Sequence, residues 1–510
     1  MRRHLVVFFA LCLIAWFEFS YFPGHNYFGP ASQVYVAALE HLKNPGFLSR
    51  DLAATHPNFG LTVYDEVTLL LTHVSHSNIQ RVLWTEHFLA RAAGLFGLVL
   101  LSRALGLRIW HAVALAATIN LGTYLPGAGI WLFDPEPVPR AFSFGPFLLA
   151  LGLFARGHIL MAGFFAGCAL LLDQAFAAPL WIILVLAFVF DRKLRPHLRP
   201  LVPVLLVFVL LLANLAQLQQ GTPDSRVTFA SVSAPLVQII QYRSPELWIT
   251  LWQSKWIYVY LGLFTIFVWA LTRLWTVLNR QTRWLLLLLA VTSVLSIPAS
   301  AVLVDELHSA AVLSAAPLHQ LAILALLTWI LCATAAVRAC YGRRWREAAC
   351  WVVPVLLLFL PTVGKPFRQS PGPNVNELAA WARMNTWGSS VFLFPEIGKS
   401  SVGGLFRAEA MRALWVDWAG GAAISHYPKL APEWFLRWRS SMEQPLTGAY
   451  LQAMLAQPID YFVVSRARSV EARTLAETRV LTPAFQDNRF AVYEASTLRV
   501  VPGKLLVDGR

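Results

Sequence analysis

The sequence predicts a polytopic α-helical membrane protein that carries a soluble α/β domain at its C-terminal end. Hydrophobic residues make up 57% of the chain and charged residues only 13%, which is more apolar surface than a water-soluble core can bury. The apolar excess lies almost entirely before Lys365, and the remainder has the composition of an ordinary soluble domain. We therefore expect a transmembrane domain over residues 1–365 and an exported domain over residues 366–510.

Apolar runs near the ~20 residues needed to cross a bilayer occur throughout the first domain. Asp173 interrupts the stretch 141–190, whose pieces are short, so a total of about ten to twelve spans is compatible with the pattern. We predict about eleven transmembrane helices. The runs lie at residues 4–22, 83–104, 109–126, 141–155, 157–172, 175–190, 200–217, 255–275, 283–304, 316–337 and 347–363.

The basic residues set the expected orientation, because arginine and lysine concentrate in cytoplasmic loops. Arg103, Arg199 and Arg344 stand in alternate loops, which predicts a multi-pass protein of the bacterial inner membrane with a cytoplasmic N-terminus. The C-terminal domain is then outside, together with loops 23–82, 127–140, 218–254 and 305–315. This positive belt also accounts for the formal net charge of +14, so we expect membrane lipid and no nucleic acid as a partner.

The loop 127–140 contains the most specific candidate site. Its segment 131–140 (WLFDPEPVPR) places Asp134, Glu136 and Arg140 among three prolines, which favour an extended backbone. Two carboxylates on one side of such a chain can hold a divalent cation, or one can act as a base beside an arginine that binds phosphate. The alternative is a rigid connector in which Arg140 simply pairs with Glu136.

Ionisable residues inside the predicted spans indicate a polar cavity, because charged groups facing lipid are costly. These residues are Glu18, Glu86, His87 and Arg91, and an internal salt bridge between Glu86 and Arg91 would satisfy the same constraint. Asp173 lies at an outer turn, where it either closes the cavity or caps the helix that begins near Ala175.

The first outer loop is predicted to contain two amphipathic helices, around residues 34–42 and 67–74, lying on the membrane surface. Asp51 and Asp65 stand in this loop and are candidate catalytic carboxylates. The alternative for each of them is a helix cap or a solvated loop charge.

The exported domain is predicted as α/β from its alternating patterns. We expect helices at 376–385 and 431–441 and strands at 390–394, 410–418, 461–464 and 490–493. Its tryptophans, such as Trp418, Trp434 and Trp438, suit packing at a domain interface or, as the alternative, sugar binding.

The layout resembles the integral-membrane glycosyltransferases of the GT-C type, and in particular a group of bacterial multi-pass membrane proteins with an exported C-terminal domain. The resemblance in layout covers the whole chain. The motifs that carry it are short: Gly24-His25-Asn26-Tyr27, Ser49-Arg50-Asp51, Thr62-Val63-Tyr64-Asp65-Glu66, Glu136-Pro137-Val138-Pro139-Arg140 and Val416-Asp417-Trp418.

This resemblance implies an acidic residue in the first outer loop, a second acidic motif after the third span, and a polyprenyl-phosphate-linked sugar as the donor. The catalytic candidates are then Asp51, Asp65, Asp134 and Glu136, and Arg91 and Arg140 are the candidates for binding the donor phosphate. A divalent cation, if one is used, would take Asp134 and Glu136 as ligands.

The chain departs from the family pattern at Ala31 and Ser32, where an acidic residue is expected soon after the first span. The acidic role then shifts to Asp51 or Asp65, or this copy has lost activity. Two other classes compete with a transferase. A transporter or flippase would use the same charges as a pathway, although its usual internal repeat is not evident. A non-catalytic envelope scaffold would act through its exported domain.

Overall fold

The structure, a computed structural model, describes residues 2–21, 24–56, 62–192, 194–220, 231–359, 375–395, 397–466 and 482–500. The chain folds into two compact units. The first comprises Met1–Asn26, Gly60–Ser233 and Ser244–Arg368, and the second comprises Tyr27–Phe59, Ala234–Arg243 and Gln369–Arg510. The predicted boundary at 365/366, the end of the run 347–363 and residues 221–230 of the loop 218–254 lie outside the described residues.

The helices are numbered in chain order. They are α1 (Arg2–Ser20), α2 (Ser32–Lys43), α3 (Tyr64–Ser75), α4 (Ile79–Ala104), α5 (Ile109–Asn120), α6 (Pro139–Ala155), α7 (Ile159–Leu172), α8 (Gln174–Phe190), α9 (Arg195–Leu198), α10 (Leu201–Gln220), α11 (Ala234–Arg243), α12 (Ser254–Leu274), α13 (Arg280–Ser300), α14 (Ala310–Ala315), α15 (Leu321–Tyr341), α16 (Trp345–Phe359), α17 (Asn376–Asn385), α18 (Val402–Ala410), α19 (Ala431–Met442), α20 (Gly448–Leu455) and α21 (Ala495–Val500).

The strands are short. They are β1 (Tyr124–Leu125), β2 (Ile130–Trp131), β3 (Val391–Leu393), β4 (Ala413–Leu414), β5 (Tyr461–Ser465), β6 (Phe485–Gln486) and β7 (Phe490–Glu494). In the first unit β1 and β2 form an antiparallel hairpin. It directly precedes the proline-rich segment, so the hairpin determines where that segment begins.

Each apolar run predicted from the sequence contains an α-helix. Within the described residues, four helical segments have the length and hydropathy of a membrane span: Ile79–Ala104, Ser254–Leu274, Arg280–Glu306 and Ala310–Tyr341. Shorter apolar helices include α5, α6, α7 and α8. These helices support a membrane location, and the total of about eleven spans stays a prediction.

The core of the first unit surrounds α15, on which Leu321 to Leu327 are completely buried. An apolar surface on all sides suits a helix that is surrounded by other helices. Elsewhere α4 and α6 pack closely through glycines. A Cβ atom at Gly97 would collide with the backbone of Leu148, and one at Gly145 would collide with the Ala90 carbonyl.

The second unit contains a five-stranded mixed sheet with the order β4-β3-β5-β7-β6. Strand β3 pairs in parallel with β4 and β5, whereas β7 pairs in antiparallel fashion with β5 and β6. Its core includes Leu378 and Ala382 of α17, Phe406 of α18, and Phe392 and Val492 of the sheet.

The predicted helix at 376–385 is confirmed as α17, and that at 431–441 as α19. The strands predicted at 390–394, 461–464 and 490–493 are confirmed as β3, β5 and β7. The strand predicted over 410–418 is wrong for most of its length, because only Ala413–Leu414 pairs with β3 and the chain then turns. The helices predicted at 34–42 and 67–74 are confirmed as α2 and α3.

The packing of α4 on α6 yields a stability prediction. Gly145→Ala should lower the free energy of unfolding by about 1–3 kcal/mol, because the added methyl group meets a fixed carbonyl. Gly262→Ala is the matched control, since it also lies within a helix but a Cβ there meets nothing within 4 Å. Thermal unfolding in detergent micelles measures both variants. Equal midpoints for the two would contradict the close approach of α4 and α6.

Candidate functional site

The segment between β2 and α6 has few backbone donors, because Pro135, Pro137 and Pro139 lack an N–H group. Within the segment, the Glu136 N–H donates to Asp134 Oδ1 at 3.0 Å. Pro139 occupies the first turn of α6, where its fixed φ suits a helix start. The local sequence therefore ends β2, forms a tight turn at Asp134 and begins α6.

The carbonyl groups of this segment are held by donors from other elements. Two side chains of α4 reach the Asp134 carbonyl oxygen, His87 Nε2 at 3.1 Å and Arg91 Nη2 at 3.0 Å. The Asn26 N–H donates to the Pro135 carbonyl at 2.8 Å, and the Tyr64 hydroxyl donates to the Pro137 carbonyl at 2.9 Å. We call this set of bonds the carbonyl clamp.

An ion pair joins Asp134 to the first turn of α6. Arg140 Nε lies 2.6 Å from Asp134 Oδ2, and the Asp134 side chain is 3% exposed against 25% for Arg140. Arg140 therefore pairs with Asp134, a partner that the sequence alternatives did not name. Charge-assisted bonds of this kind are stronger than neutral ones.

The donor set suits an arginine partner better than a divalent cation. Asp134 Oδ1 already accepts from the Glu136 N–H and Oδ2 from Arg140, so a cation at Asp134 would have to displace the guanidinium. Among the described residues, no group of three or more His, Cys, Asp or Glu side chains is placed to hold a metal ion.

Two histidines pack behind Asp134. His25 Nδ1 lies 3.0 Å from His87 Nδ1, and the ring of Phe19 stacks on His25 with centroids 4.7 Å apart. Burial lowers the pKa of His25 to about 3, and the positive charge of Arg91 adds to this. His25 is therefore neutral at physiological pH.

The intramembrane charges predicted to line a cavity are mostly enclosed by protein. Glu18 is 3% exposed and Arg91 is 2% exposed. Glu18 Oε2 has no hydrogen-bond partner among the described residues, and the same is true of Arg91 Nε and Nη1. Glu86 does not form the salt bridge with Arg91 that was one of the predicted alternatives. Its Oε2 accepts from the Thr68 hydroxyl at 3.0 Å instead.

Asp173 caps α8, as one of the two alternatives predicted. Its Oδ1 accepts from the Ala175 N–H at 2.8 Å. Burial raises the pKa of Asp173 to about 6, whereas this backbone bond and the charge of Arg140 oppose the shift. The charge of Arg140 therefore acts on Asp173 as well as on Asp134.

A cavity of about 10 Å³ is lined by His87, Arg91, Asp134 and Arg140 together with aromatic side chains. This volume holds about one water molecule. This cavity therefore brings together four of the ten predicted site residues: Asp134, Arg140, Arg91 and His87. Glu136, which is 9% exposed, belongs to the same segment, and Asp65, which is 5% exposed, begins α3 next to Tyr64.

Asp51 belongs to the second unit, where it forms a cluster with two residues that the sequence did not single out as its partners. Arg407 Nη1 lies 2.9 Å from Asp417 Oδ1 and 3.6 Å from Asp51 Oδ1. All three side chains are 1–3% exposed. We call these residues the buried triad.

Asp51 is occupied by structural bonds. Its Oδ1 accepts from the N–H groups of Ala53 and Ala54 at 3.0 and 2.9 Å, and its Oδ2 accepts from the Leu414 N–H at 3.0 Å. Such a carboxylate caps a turn, rather than the helix of the predicted alternative, and holds β4 in place. The case for Asp51 as a catalytic residue is correspondingly weaker than that for Asp134.

Asp417 has one satisfied and one unsatisfied oxygen. Oδ1 accepts from Arg407 and from the Gly420 N–H, whereas Oδ2 has no hydrogen-bond partner among the described residues. Burial raises the pKa of the Asp417 carboxyl group; Arg407 opposes this shift and the charge of Asp51 adds to it.

The tryptophans of the second unit pack on one another. Trp434 stacks on Trp438 with centroids 5.7 Å apart, and Trp418 meets Trp438 at 5.0 Å. The Lys399 ammonium group lies 4.2 Å from the Trp418 ring centroid, which is the geometry of a cation–π contact. These contacts are those of side chains packed within the second unit, and the predicted packing at a domain interface stays a prediction.

Three solved structures are similar to this chain. The Archaeoglobus fulgidus oligosaccharyltransferase with Zn and sulfate has a TM-score of 0.47 at 12% identity, covering 90% of this chain and 68% of that one. ArnT from Cupriavidus metallidurans bound to undecaprenyl phosphate has a TM-score of 0.42 at 16% identity, and the match covers 96% of this chain and 98% of that one. The arabinofuranosyltransferase AftD from Mycobacteria has a TM-score of 0.47 at 15% identity, and the match covers 97% of this chain and 40% of that one.

These structures are glycosyltransferases of the GT-C type, the class that the sequence resembles. At TM-scores below 0.5 the likeness carries no conclusion about the activity or the site residues of this chain. No protein-family model and no curated protein matches the chain.

The buried triad yields a prediction that separates its two carboxylates. Asp51→Asn should lower the free energy of unfolding by about 1–3 kcal/mol, because an amide N–H then faces the Leu414 N–H. Asp417→Asn should also lower the free energy of unfolding, but for a different reason: the amide can keep both Oδ1 bonds, whereas the negative charge that pairs with the buried Arg407 is lost.

The pH dependence provides a second readout for the same pair of variants. A raised folded-state pKa at Asp417 stabilises the fold at low pH, and this contribution is lost as the pH rises through that pKa. Thermal unfolding of the wild type from about pH 4 upward should show the loss, and Asp417→Asn should reduce it. An Asp417→Asn variant with the same pH dependence of unfolding as the wild type would contradict the raised pKa of Asp417.

Proposed function

We propose that this chain is a membrane glycosyltransferase that moves a sugar from a polyprenyl-phosphate donor to an acceptor at the outer face of the cytoplasmic membrane. The observation that carries the proposal is the ion pair of Asp134 with Arg140, which is held by the carbonyl clamp beside Arg91. A buried carboxylate beside arginines, at the start of an apolar helix, suits chemistry on a lipid-linked phosphate.

The proposed reaction needs a base and a positive charge. The base takes the proton of the acceptor hydroxyl as the new glycosidic bond forms, and the bond between the sugar and the phosphate oxygen breaks. Asp134 is the proposed base and ends the step protonated, while polyprenyl phosphate departs with the bonding electrons. Arg140 stabilises the charge that develops on this phosphate.

The difference in exposure supports these two roles. Arg140 is the more exposed member of the pair, at 25% against 3% for Asp134, so its guanidinium can turn to a phosphate group. This turn would free Asp134 Oδ2 to accept the proton of the acceptor hydroxyl. A guanidinium also presents several donors in one plane, which matches the oxygens of a phosphate. Arg91 adds positive charge behind the Asp134 carbonyl and remains the second proposed phosphate-binding residue.

The remaining site candidates have supporting places in the proposal. Glu136 is buried two residues from Asp134 in the chain, and Asp65 is buried next to Tyr64. Both are secondary candidates for the base. Glu18 and His87 are buried and Glu86 is half-buried, and we propose that they form a polar interior behind the site. The proposed donor is a polyprenyl-phosphate-linked sugar in the surrounding lipid. Basic residues concentrate in every second loop, and this pattern predicts that the C-terminal domain faces outward.

A scaffold without catalytic activity is the second candidate, and one observation favours it. Where the GT-C pattern implies an acidic residue, the Ser32 hydroxyl donates to the Gly29 carbonyl at 3.0 Å and so supports the start of α2. Asp51, the other acidic candidate in that loop, is engaged in the buried triad. Absence of transfer in the wild type would support this second candidate.

The proposed roles predict the effects of two substitutions. Asp134→Asn should lower the rate of transfer by ~100- to 10,000-fold, the usual cost of losing a positioned base. Arg140→Lys should also lower it, because a point charge does not reproduce the planar fork. The measurement is release of free polyprenyl phosphate from labelled donor in reconstituted vesicles.

Arg273→Lys is the matched control, because Arg273 also forms an ion pair, at 2.8 Å with Glu347, but lies outside the site. It should release polyprenyl phosphate at the wild-type rate. Unchanged release from both Asp134→Asn and Arg140→Lys would exclude this site as the catalytic one.

A further inference from the structure

Two side chains one turn apart on α4 converge on a single oxygen atom. His87 and Arg91 are four residues apart, so they share a helix face, and both donate to the Asp134 carbonyl. They are 1% and 2% exposed. A carbonyl oxygen has two lone pairs, so this oxygen is fully satisfied by α4.

The carbonyl acceptor determines the tautomer of His87. A carbonyl oxygen can only accept, so His87 Nε2 must carry the hydrogen atom. In a neutral ring the Nδ1 atom is then an acceptor, and the contact of 3.0 Å with His25 Nδ1 requires that His25 carry its hydrogen on Nδ1. A positive charge on His87 would lie buried beside the Arg91 guanidinium, which is unfavourable.

His87 is more firmly held than Arg91. Its second ring nitrogen is bonded to His25, and its ring packs edge-on against Phe19 with centroids 5.2 Å apart. Arg91 also lies over the Phe19 ring, with its Cζ 5.5 Å from the centroid, but its Nε and Nη1 have no hydrogen-bond partner among the described residues. His87 is therefore the member of the pair with both ring nitrogens hydrogen-bonded, so its orientation is the better defined.

We propose that His87, as the neutral tautomer protonated on Nε2 and supported by His25, is a positioning residue that orients Asp134 toward Arg140. This inference rests on the proposed function for its effect on rate, but its structural part stands without it. Pro135 fixes the backbone that follows Asp134. A held carbonyl therefore limits the directions in which the carboxylate of the same residue can point.

The first test compares two amide substitutions at this position. Glutamine places its amide nitrogen near the position of Nε2 and can donate to the Asp134 carbonyl, whereas asparagine is too short. His87→Gln should stay within a few-fold of the wild-type rate, and His87→Asn should lower kcat by about 100-fold with little change in KM, because only orientation is lost. Equal effects of the two variants would overturn the positioning role.

His111→Asn is the matched control. His111 Nδ1 contacts the Tyr341 hydroxyl at 2.9 Å on an exposed part of α5, so this substitution should leave the rate unchanged. Thermal unfolding of all three variants checks that a loss of kcat is not a loss of folded protein.

The second test does not depend on activity. The full chain, labelled with ¹⁵N-histidine in lipid bilayers, should give a His87 signal with a protonated Nε2 and a bare Nδ1, assigned by subtraction of the His87→Gln spectrum. His25 should show a protonated Nδ1. A protonated Nδ1 on His87 would overturn the inference. A wild type without transferase activity that still shows the expected tautomers would refute the proposed function and leave the tautomer assignment intact.

Discussion

The site depends on the carbonyl clamp, in which donors from three parts of the first unit hold one proline-rich segment. Proline at positions 135, 137 and 139 removes the N–H groups that would let this segment pair with a neighbour, and buried carbonyls left without donors are costly. The donors come from α4, from the backbone after α1 and from α3. The position of Asp134, and with it the ion pair to Arg140, follows from these bonds.

The two clusters of buried charge differ in chemical character. In the first unit, Arg140 reaches partial exposure while its carboxylate partner is enclosed, so the pair can exchange an internal contact for one to an anionic ligand. In the second unit, all three side chains of the buried triad are enclosed, and Asp51 accepts hydrogen bonds from three backbone N–H groups. A cluster bonded in this way stabilises a fold, and opening it would leave a buried charge without a partner.

Much of the fold could be predicted because hydrophobic periodicity reports directly on helices and strands, as for α17, β5 and β7. Proline spacing likewise indicated the segment around Asp134. The partners of Asp51 could not be predicted, because Arg407 is distant in sequence and no local pattern links the two residues. The strand predicted around Asp417 was mostly wrong because the Asp417 side chain accepts from the Gly420 N–H three residues further on, which closes a local turn. Its ion pair with Arg407 of α18 adds to this, and together these bonds override the preference of an apolar run for an extended strand.

The measurement that tests the central claim most directly is a cryo-EM map of the full chain in a lipid nanodisc with bound polyprenyl phosphate. The account predicts phosphate density against the Arg140 guanidinium, with the Asp134 carbonyl still bonded to His87 and Arg91. Phosphate bound at a distance from Arg140, or a segment 134–140 that has moved away from α4, would contradict it.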